Sequence, residues 1–193
     1  MNTPYTRLAA HIRHYAPLSE SEETLLPQYI KYVTIHKKDY LLKEGQICHA
    51  LYFVVKGCLR MYFIQENGVE QTTQFAIENW WMGDYFSYGL QKPSRFHIQA
   101  AENTEILLLH HETAQQLYKA IPALESYMRQ MAERAYGAAQ QRLFIIYGLS
   151  AEERYRQFID KYPSFAQRIP QYMLASFLGV TPEFLSKLRS KMK

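Results

Sequence analysis

At 193 residues, 48% hydrophobic and 21% charged, the chain has ordinary globular composition, which excludes disordered or fibrous character and leaves room for one main core and a satellite. No apolar run approaches the ~18–20 residues of a membrane span, and Met1 to Tyr15 carries Arg7, His11, Arg13 and His14 with no apolar signal core, so a cytoplasmic protein is expected. The net charge of +4 is unevenly placed: residues 1–149 hold fourteen basic and fourteen acidic side chains, residues 150–193 eight and four.

The first elements are short helices, because Leu8, Ile12, Leu18, Leu25, Leu26 and Ile30 recur at roughly helical spacing but are interrupted by Pro17 and Pro27. From Tyr32 to His110 the text changes to short β-branched and aromatic segments. Turns punctuate them at Lys43-Glu44-Gly45, Lys56-Gly57, Glu66-Asn67-Gly68, Gly83-Asp84 and Lys92-Pro93-Ser94, the pattern of an antiparallel sandwich or roll. The clearest hairpin joins Leu59–Ile64 to Gln71–Ile77 through Asn67-Gly68. Within its first strand Arg60 shares a face with Cys58 and Tyr62, opposite Leu59, Met61 and Phe63. Arg60 thus lies either on the outer surface, the commoner fate of an arginine, or in a polar cavity. The two cysteines, Cys48 and Cys58, are expected to be reduced thiols, too few for a four-thiolate iron–sulfur cluster within one chain.

A short helix up to Ala120 follows, then a long one beginning near Pro122 and running to Leu149. Its 28 residues would extend about 42 Å. Leu124, Met128, Met131, Ala135, Ala138, Arg142, Ile145 and Leu149 recur at 4–3 spacing, which predicts a two-stranded coiled-coil seam interrupted by Arg142. A second stripe, Ala132, Tyr136, Ala139, Leu143 and Ile146, is expected to pack on the β-domain. One broad apolar face serving a monomer core is the alternative. Two usable faces favour a homodimer.

Residues 171–190 match a helix-turn-helix at its demanding positions. Ala175 is small where two helices cross, and Gly179 can take the left-handed conformation that ends the first helix. Thr181 can cap the second helix and Pro182 suits its first turn, while Leu174, Leu178, Val180, Leu185 and Leu188 supply a buried wedge. Thr181, Pro182, Glu183, Ser186, Lys187, Ser190 and Lys191, with Arg189 and Lys193 nearby, remain to reach base edges or phosphates of double-stranded DNA. A generic helical hairpin with solvated charges is the competing reading.

Over nearly its whole length the chain resembles the catabolite activator/FNR superfamily of bacterial transcription regulators, which carry a cyclic-nucleotide-binding-like domain. The carriers are Leu51-Tyr52-Phe53-Val54-Val55-Lys56-Gly57, Gly83-Asp84 after Trp80-Trp81, and Gly179-Val180-Thr181-Pro182-Glu183. The resemblance implies an α+β fold in three parts. An antiparallel β-roll of double-stranded β-helix or jelly-roll type spans residues 1–121, a dimerisation helix 122–149, and a helix-turn-helix domain 150–193. It further implies a homodimer on a two-fold symmetric operator, with RNA polymerase as a candidate partner. A ligand in the roll would shift packing on the long helix and so rotate two reading heads into major grooves about 34 Å apart.

The departures bear on the signal. Cyclic-AMP-responsive members carry Gly-Glu and, about ten residues later, Arg-Ser or Arg-Thr; here Gly83-Asp84 and Ser94-Arg95 shorten the carboxylate and transpose the arginine. The adenine-contacting Thr-Ser pair aligns with Ala139-Gln140. Cyclic AMP is therefore not expected as a tight ligand, the effector is unknown, and no cofactor is expected. Arg60, Trp81, Gly83, Asp84, Ser94, Arg95, Ala139 and Gln140 are the candidate pocket, with core or rim packing the competing role for the tryptophans. In the reading head, Arg-Glu-x-x-x-Arg becomes Pro182-Glu183-x-x-x-Lys187, and lysine lacks the arginine fork. With Lys193 following directly on the recognition helix, a β-hairpin wing is not expected, which places more weight on Arg168, Arg189, Lys191 and Lys193.

Two other classes compete. A cupin-type metalloenzyme would need clustered histidines and carboxylates, yet His97 stands alone in its strand and His110-His111 point apart, so neither an enzyme nor a metal site is expected. A sensor or adaptor that keeps the fold without DNA binding is the nearer rival.

Overall fold

The computed structural model describes residues 3–191; Lys193, expected among the phosphate contacts, lies outside them. Three short helices, α1 (Pro4–Arg13), α2 (Glu20–Glu23) and α3 (Leu26–Tyr29), lead into the strands β1 (Ile30–Ile35), β2 (Tyr40–Leu42), β3 (Ala50–Lys56), β4 (Leu59–Ile64), β5 (Glu70–Ala76) and β6 (Trp81–Met82). A helix α4 (Tyr85–Leu90) interrupts before β7 (His97–Ala100) and β8 (Thr104–His110). The strands form two four-stranded sheets, ordered β1-β8-β3-β6 and β2-β7-β4-β5, with every named pair antiparallel. This is the expected roll.

Alternation decides what each sheet buries. Leu59, Ala76, Ile98 and Ala100 of one sheet meet Tyr52, Val54 and Ile106 of the other in the interior. The opposite face of β3, Leu51, Phe53 and Val55, packs outward under a second core that includes Leu8, Ile12 and Leu117. Buried on both faces, β3 reads as a continuous apolar run.

The Lys56-Gly57 turn has no room for a side chain. Gly57 has φ +101°, and a Cβ there would meet Thr104 Oγ1 at 2.6 Å and the Asn103 carbonyl oxygen at 2.7 Å. Gly57→Ala is expected to lower the unfolding free energy by about 2–4 kcal/mol in urea melts, because the strained φ and a backbone clash add. An unchanged midpoint would show that the turn relaxes freely.

Beyond β8 lie α5 (His111–Ala120) and the long α6 (Ala123–Gly148), set by Pro122 as the spacing predicts. Its first third is anchored in the roll by Leu124, Tyr127, Met128 and Met131. There Tyr127 Oη accepts from Trp81 Nε1 at 2.8 Å and lies 2.7 Å from His11 Nδ1. Both stripes of α6 thus differ from the expected packing over part of their length. Leu124, Met128 and Met131 of the predicted seam are spent on this protomer's own core, and Arg142 turns to the C-terminal helices. Tyr136 and Leu143, expected on the β-domain, are 67% and 54% exposed, as are their neighbours Phe144 and Tyr147 at 60% and 84%. The reason is the register at the start of the helix: Tyr127 must meet Trp81 and His11, which fixes its rotation.

The chain ends in α7 (Ala151–Lys161), α8 (Pro163–Arg168), α9 (Gln171–Leu178) and α10 (Pro182–Lys191). Ser150 and Glu153 form a capping box that starts α7 cleanly after the stalk. These helices do not keep a core to themselves, since Phe158, Phe165, Leu174 and Leu178 share one cluster with Cys58, Phe75 and Ala101 of the roll.

Candidate nucleic-acid interface

The α9–turn–α10 unit is built as the sequence demands. Ala175 is fully buried, and Gly179 adopts φ 70°, ψ 38°, so that its own N–H and that of Val180 return to the carbonyls of Ser176 and Ala175. Thr181 Oγ1 accepts from the Phe184 N–H at 3.2 Å and caps α10. Leu174, Leu178, Leu185 and Leu188 are buried between the helices. Burying one face fixes the other: Thr181, Pro182, Glu183, Ser186, Lys187, Ser190 and Lys191 are exposed, and Arg189 is half-buried at the flank. Glu183 has its carboxyl held below the usual carboxylate range by its own N–H and the Thr181 hydroxyl, so it presents a fixed negative charge. Phe184, also exposed, extends this face with an aromatic ring that the residue pattern did not single out.

Arg168 is not part of this face. Its guanidinium forks onto Glu78, with Nη1 and Nη2 both 2.9 Å from the carboxylate oxygens, and reaches Glu102 and the Gly57 carbonyl as well. Both acids belong to the roll, and together they hold the arginine's pKa above its ordinary value. The network engages much of the guanidinium within the protomer, and no local pattern links residues 78, 102 and 168. Burial alone would raise the Glu78 carboxyl, but the Arg168 and Gly57 hydrogen bonds outweigh it and bring it from 4.5 to about 2. A depressed carboxyl stabilises the fold above its unfolded pKa and loses that contribution as the pH falls toward the folded value. The difference in melting temperature between the wild type and Glu78→Gln is therefore expected to be constant from neutrality down to about pH 5 and to vanish near pH 2. A difference independent of pH throughout would show that Glu78 acts by shape alone.

The candidate pocket residues do not converge. Asp84 caps α4, its Oδ1 accepting from the N–H groups of Phe86 and Ser87 and its Oδ2 from Ser94 Oγ at 2.6 Å. Ser87 Oγ in turn accepts from the Cys48 N–H and donates to the Lys92 carbonyl. Gly83 backs onto Leu51, and Arg95 is exposed. Trp81 packs on Phe53 in the outer core. Arg60 does sit on the outer face of its sheet but is only 3% exposed, which corrects the expectation of a solvated arginine. It stacks over Tyr62 and bonds Gln99 and Glu70 instead. Ala139 and Gln140 lie exposed on the stalk. Beneath α1 the core leaves a cavity of about 10 Å³, lined by residues such as Trp81, Leu117 and Tyr127, at the lower limit of what one water requires and too small for a nucleotide. Both cysteines are fully buried, and burial pushes their thiols up. No group of three or more histidine, cysteine or acidic side chains suited to a metal ion occurs among the described residues, and no helix among them is long and apolar enough to cross a membrane.

An antiparallel roll, a long helix and a capped helix-turn-helix with an exposed polar face together have the architecture of a transcription regulator. Residues 32–120 match the cyclic nucleotide-binding domain family. The chain is similar to the fumarate and nitrate reduction regulatory protein of Vibrio cholerae, with 27% identity over 188 residues, covering 91% of this chain and 74% of that one. It is 24% identical over 170 residues to the anaerobic regulatory protein of Pasteurella multocida, covering 82% of this chain and spanning only 62% of that relative's length. FixK2 from Bradyrhizobium japonicum shares the fold, with a TM-score of 0.73 over 84% of each chain at 18% identity. These matches support a regulator of the catabolite activator/FNR (CRP/FNR) type, which the chain resembles in sequence and in fold.

Proposed function

We propose that the protein binds double-stranded DNA as a cytoplasmic homodimer, with residues 1–121 as sensor roll, 122–149 as stalk and 150–193 as reading head. The observation that carries this is the outer face of α10, which keeps Glu183, Ser186, Lys187, Ser190 and Lys191 clear while Leu185 and Leu188 of its inner face are buried. The stalk supplies the pairing surface. Ala132, Tyr136, Ala139, Leu143 and Ile146 stand at 4–3 spacing, and Tyr136, Leu143 and Ile146 are exposed. With Phe144 and Tyr147 they make a contiguous apolar strip of the kind that marks association.

Cyclic AMP is not a tight ligand in this reading. Asp84 spends its oxygens on Ser94 and the α4 N-terminus, so both cassette anchors would have to be broken from each other before ribose or phosphate could be held. Calorimetry is expected to show no low-micromolar binding. The test of the whole proposal is selection of bound duplexes from random-sequence DNA, followed by sedimentation of the complex. A two-fold symmetric consensus held by two chains supports it. A protein that stays monomeric and ignores duplex DNA at low salt overturns it.

A further inference from the structure

The head is fixed to the roll by three kinds of contact, none of which touches the exposed face of α10. The first is ionic, the Arg168 fork on Glu78 with Glu102 and the Gly57 carbonyl on its flank. The second closes a sheet edge. β5 is the outermost strand of its sheet, and its free groups are met by Ser176 of α9. Ser176 Oγ accepts the Thr72 N–H at 2.8 Å and donates to the Glu70 carbonyl at 2.6 Å, while Gln71 Nε2 donates to the Ser176 carbonyl. The third is aromatic, with Phe75 of β5 placed 5.3 Å from the ring centres of both Phe165 and Phe177. From the stalk, Arg142 stacks on Phe177 at 3.7 Å and donates to its carbonyl. The head therefore touches both the sensor and the stalk of its own protomer.

A two-headed reader needs its recognition helices at one separation, because half-sites recur one helical turn apart. An apolar contact such as Phe75 with Phe177 lacks direction and tolerates sliding, whereas a forked arginine on two carboxylates is directional. Arg168 closes α8 immediately before α9, so its anchorage sets the angle at which the helix-turn-helix leaves the roll. The geometry points to Arg168 as a positioning residue, whose clamp on Glu78 and Glu102 fixes the spacing between the two recognition helices and thereby the half-site separation that the dimer accepts. This rests on the DNA-binding reading above and adds to it the residue that enforces spacing.

The experiment measures affinity for the selected consensus and for duplexes whose central spacer is lengthened or shortened by one and two base pairs. The proteins compared are the wild type, Arg168→Gln, Arg168→Lys and the pair Arg168→Glu with Glu102→Arg. The wild type is expected to bind sharply best at one spacing. Arg168→Gln is expected to lose about 10-fold at that spacing, as the effective concentration of the second head falls, while its preference among spacings flattens. Non-specific affinity is expected to stay unchanged. Arg168→Lys, able to pair but not to fork, falls between, and the charge-swapped pair recovers part of the sharpness. Trp80, 6.3 Å from the Tyr162 ring across the same boundary, reports by its fluorescence whether the head stays folded on the roll. A spacing profile identical to wild type in Arg168→Gln overturns the inference and leaves DNA binding intact, as does an equal loss on all duplexes in every variant including the swap. A wild type that ignores every duplex overturns the DNA-binding reading and the inference with it.

Discussion

Leu143→Asp is expected to give a folded monomer that has lost operator affinity by about 100-fold or more. The side chain is 54% exposed in the protomer and belongs to no core, so the substitution leaves the fold alone. In a paired stalk it stands fourth of the five positions of the 4–3 stripe running from Ala132 to Ile146. Burying a leucine there contributes about 1.5–3 kcal/mol per copy, lost twice in a symmetric interface, and two carboxylates would then be desolvated side by side. A monomer engages one half-site at a time and forfeits the gain of about 10²–10⁴ that linkage supplies. Sedimentation velocity and fluorescence anisotropy on one sample check both halves of the claim. Leu124→Asp is the contrasting variant: Leu124 lies in the roll's outer core, so it is expected to unfold rather than dissociate. A dimer of undiminished affinity with Asp at position 143 would place the interface elsewhere.

That contrast shows where sequence reasoning succeeds and where it stops. The hairpin at Asn67-Gly68, the long helix after Pro122 and the Gly179 turn were legible because each rests on a local rule: a positive φ, a proline in a first turn, a left-handed cap. The rotation of α6 was not. Both stripes have the same 4–3 period, and only Tyr127 meeting Trp81 and His11, from three distant segments, decides which one turns inward. Charge and position beside the reading head point Arg168 to DNA, and a phosphate contact and an interdomain clamp have both features in common. The partners that separate the two roles, Glu78 and Glu102, are 90 and 66 residues away. Strand alternation puts Arg60 on one face with Tyr62 and leaves surface and cavity both open; its burial beside Gln99 of the neighbouring strand is not visible in that pattern. The departure at Asp84 and Ser94 was legible as chemistry, and the structure adds that the two groups satisfy each other.

Lys187→Glu is expected to reduce affinity for the selected operator by about 100-fold while weakening binding to random duplex only a few-fold. Lys187 projects from the exposed face of α10, one turn after Glu183, so the pair spans the part of the helix proposed to enter a groove. A lysine donating to a guanine edge contributes discrimination of about 1–3 kcal/mol, and a carboxylate put in its place meets acceptors and phosphates of like charge. Fold stability is not expected to change, because the side chain is exposed and the wedge of Leu185 and Leu188 beside it is untouched. The salt dependence separates the two roles available to a lysine. A base contact leaves the slope of log affinity against log salt on random DNA nearly constant, whereas a phosphate contact lowers it by about one. Equal losses on operator and random duplex would move Lys187 from reading to anchoring, and would shift the burden of specificity to Glu183, Ser186 and the exposed ring of Phe184 beside them.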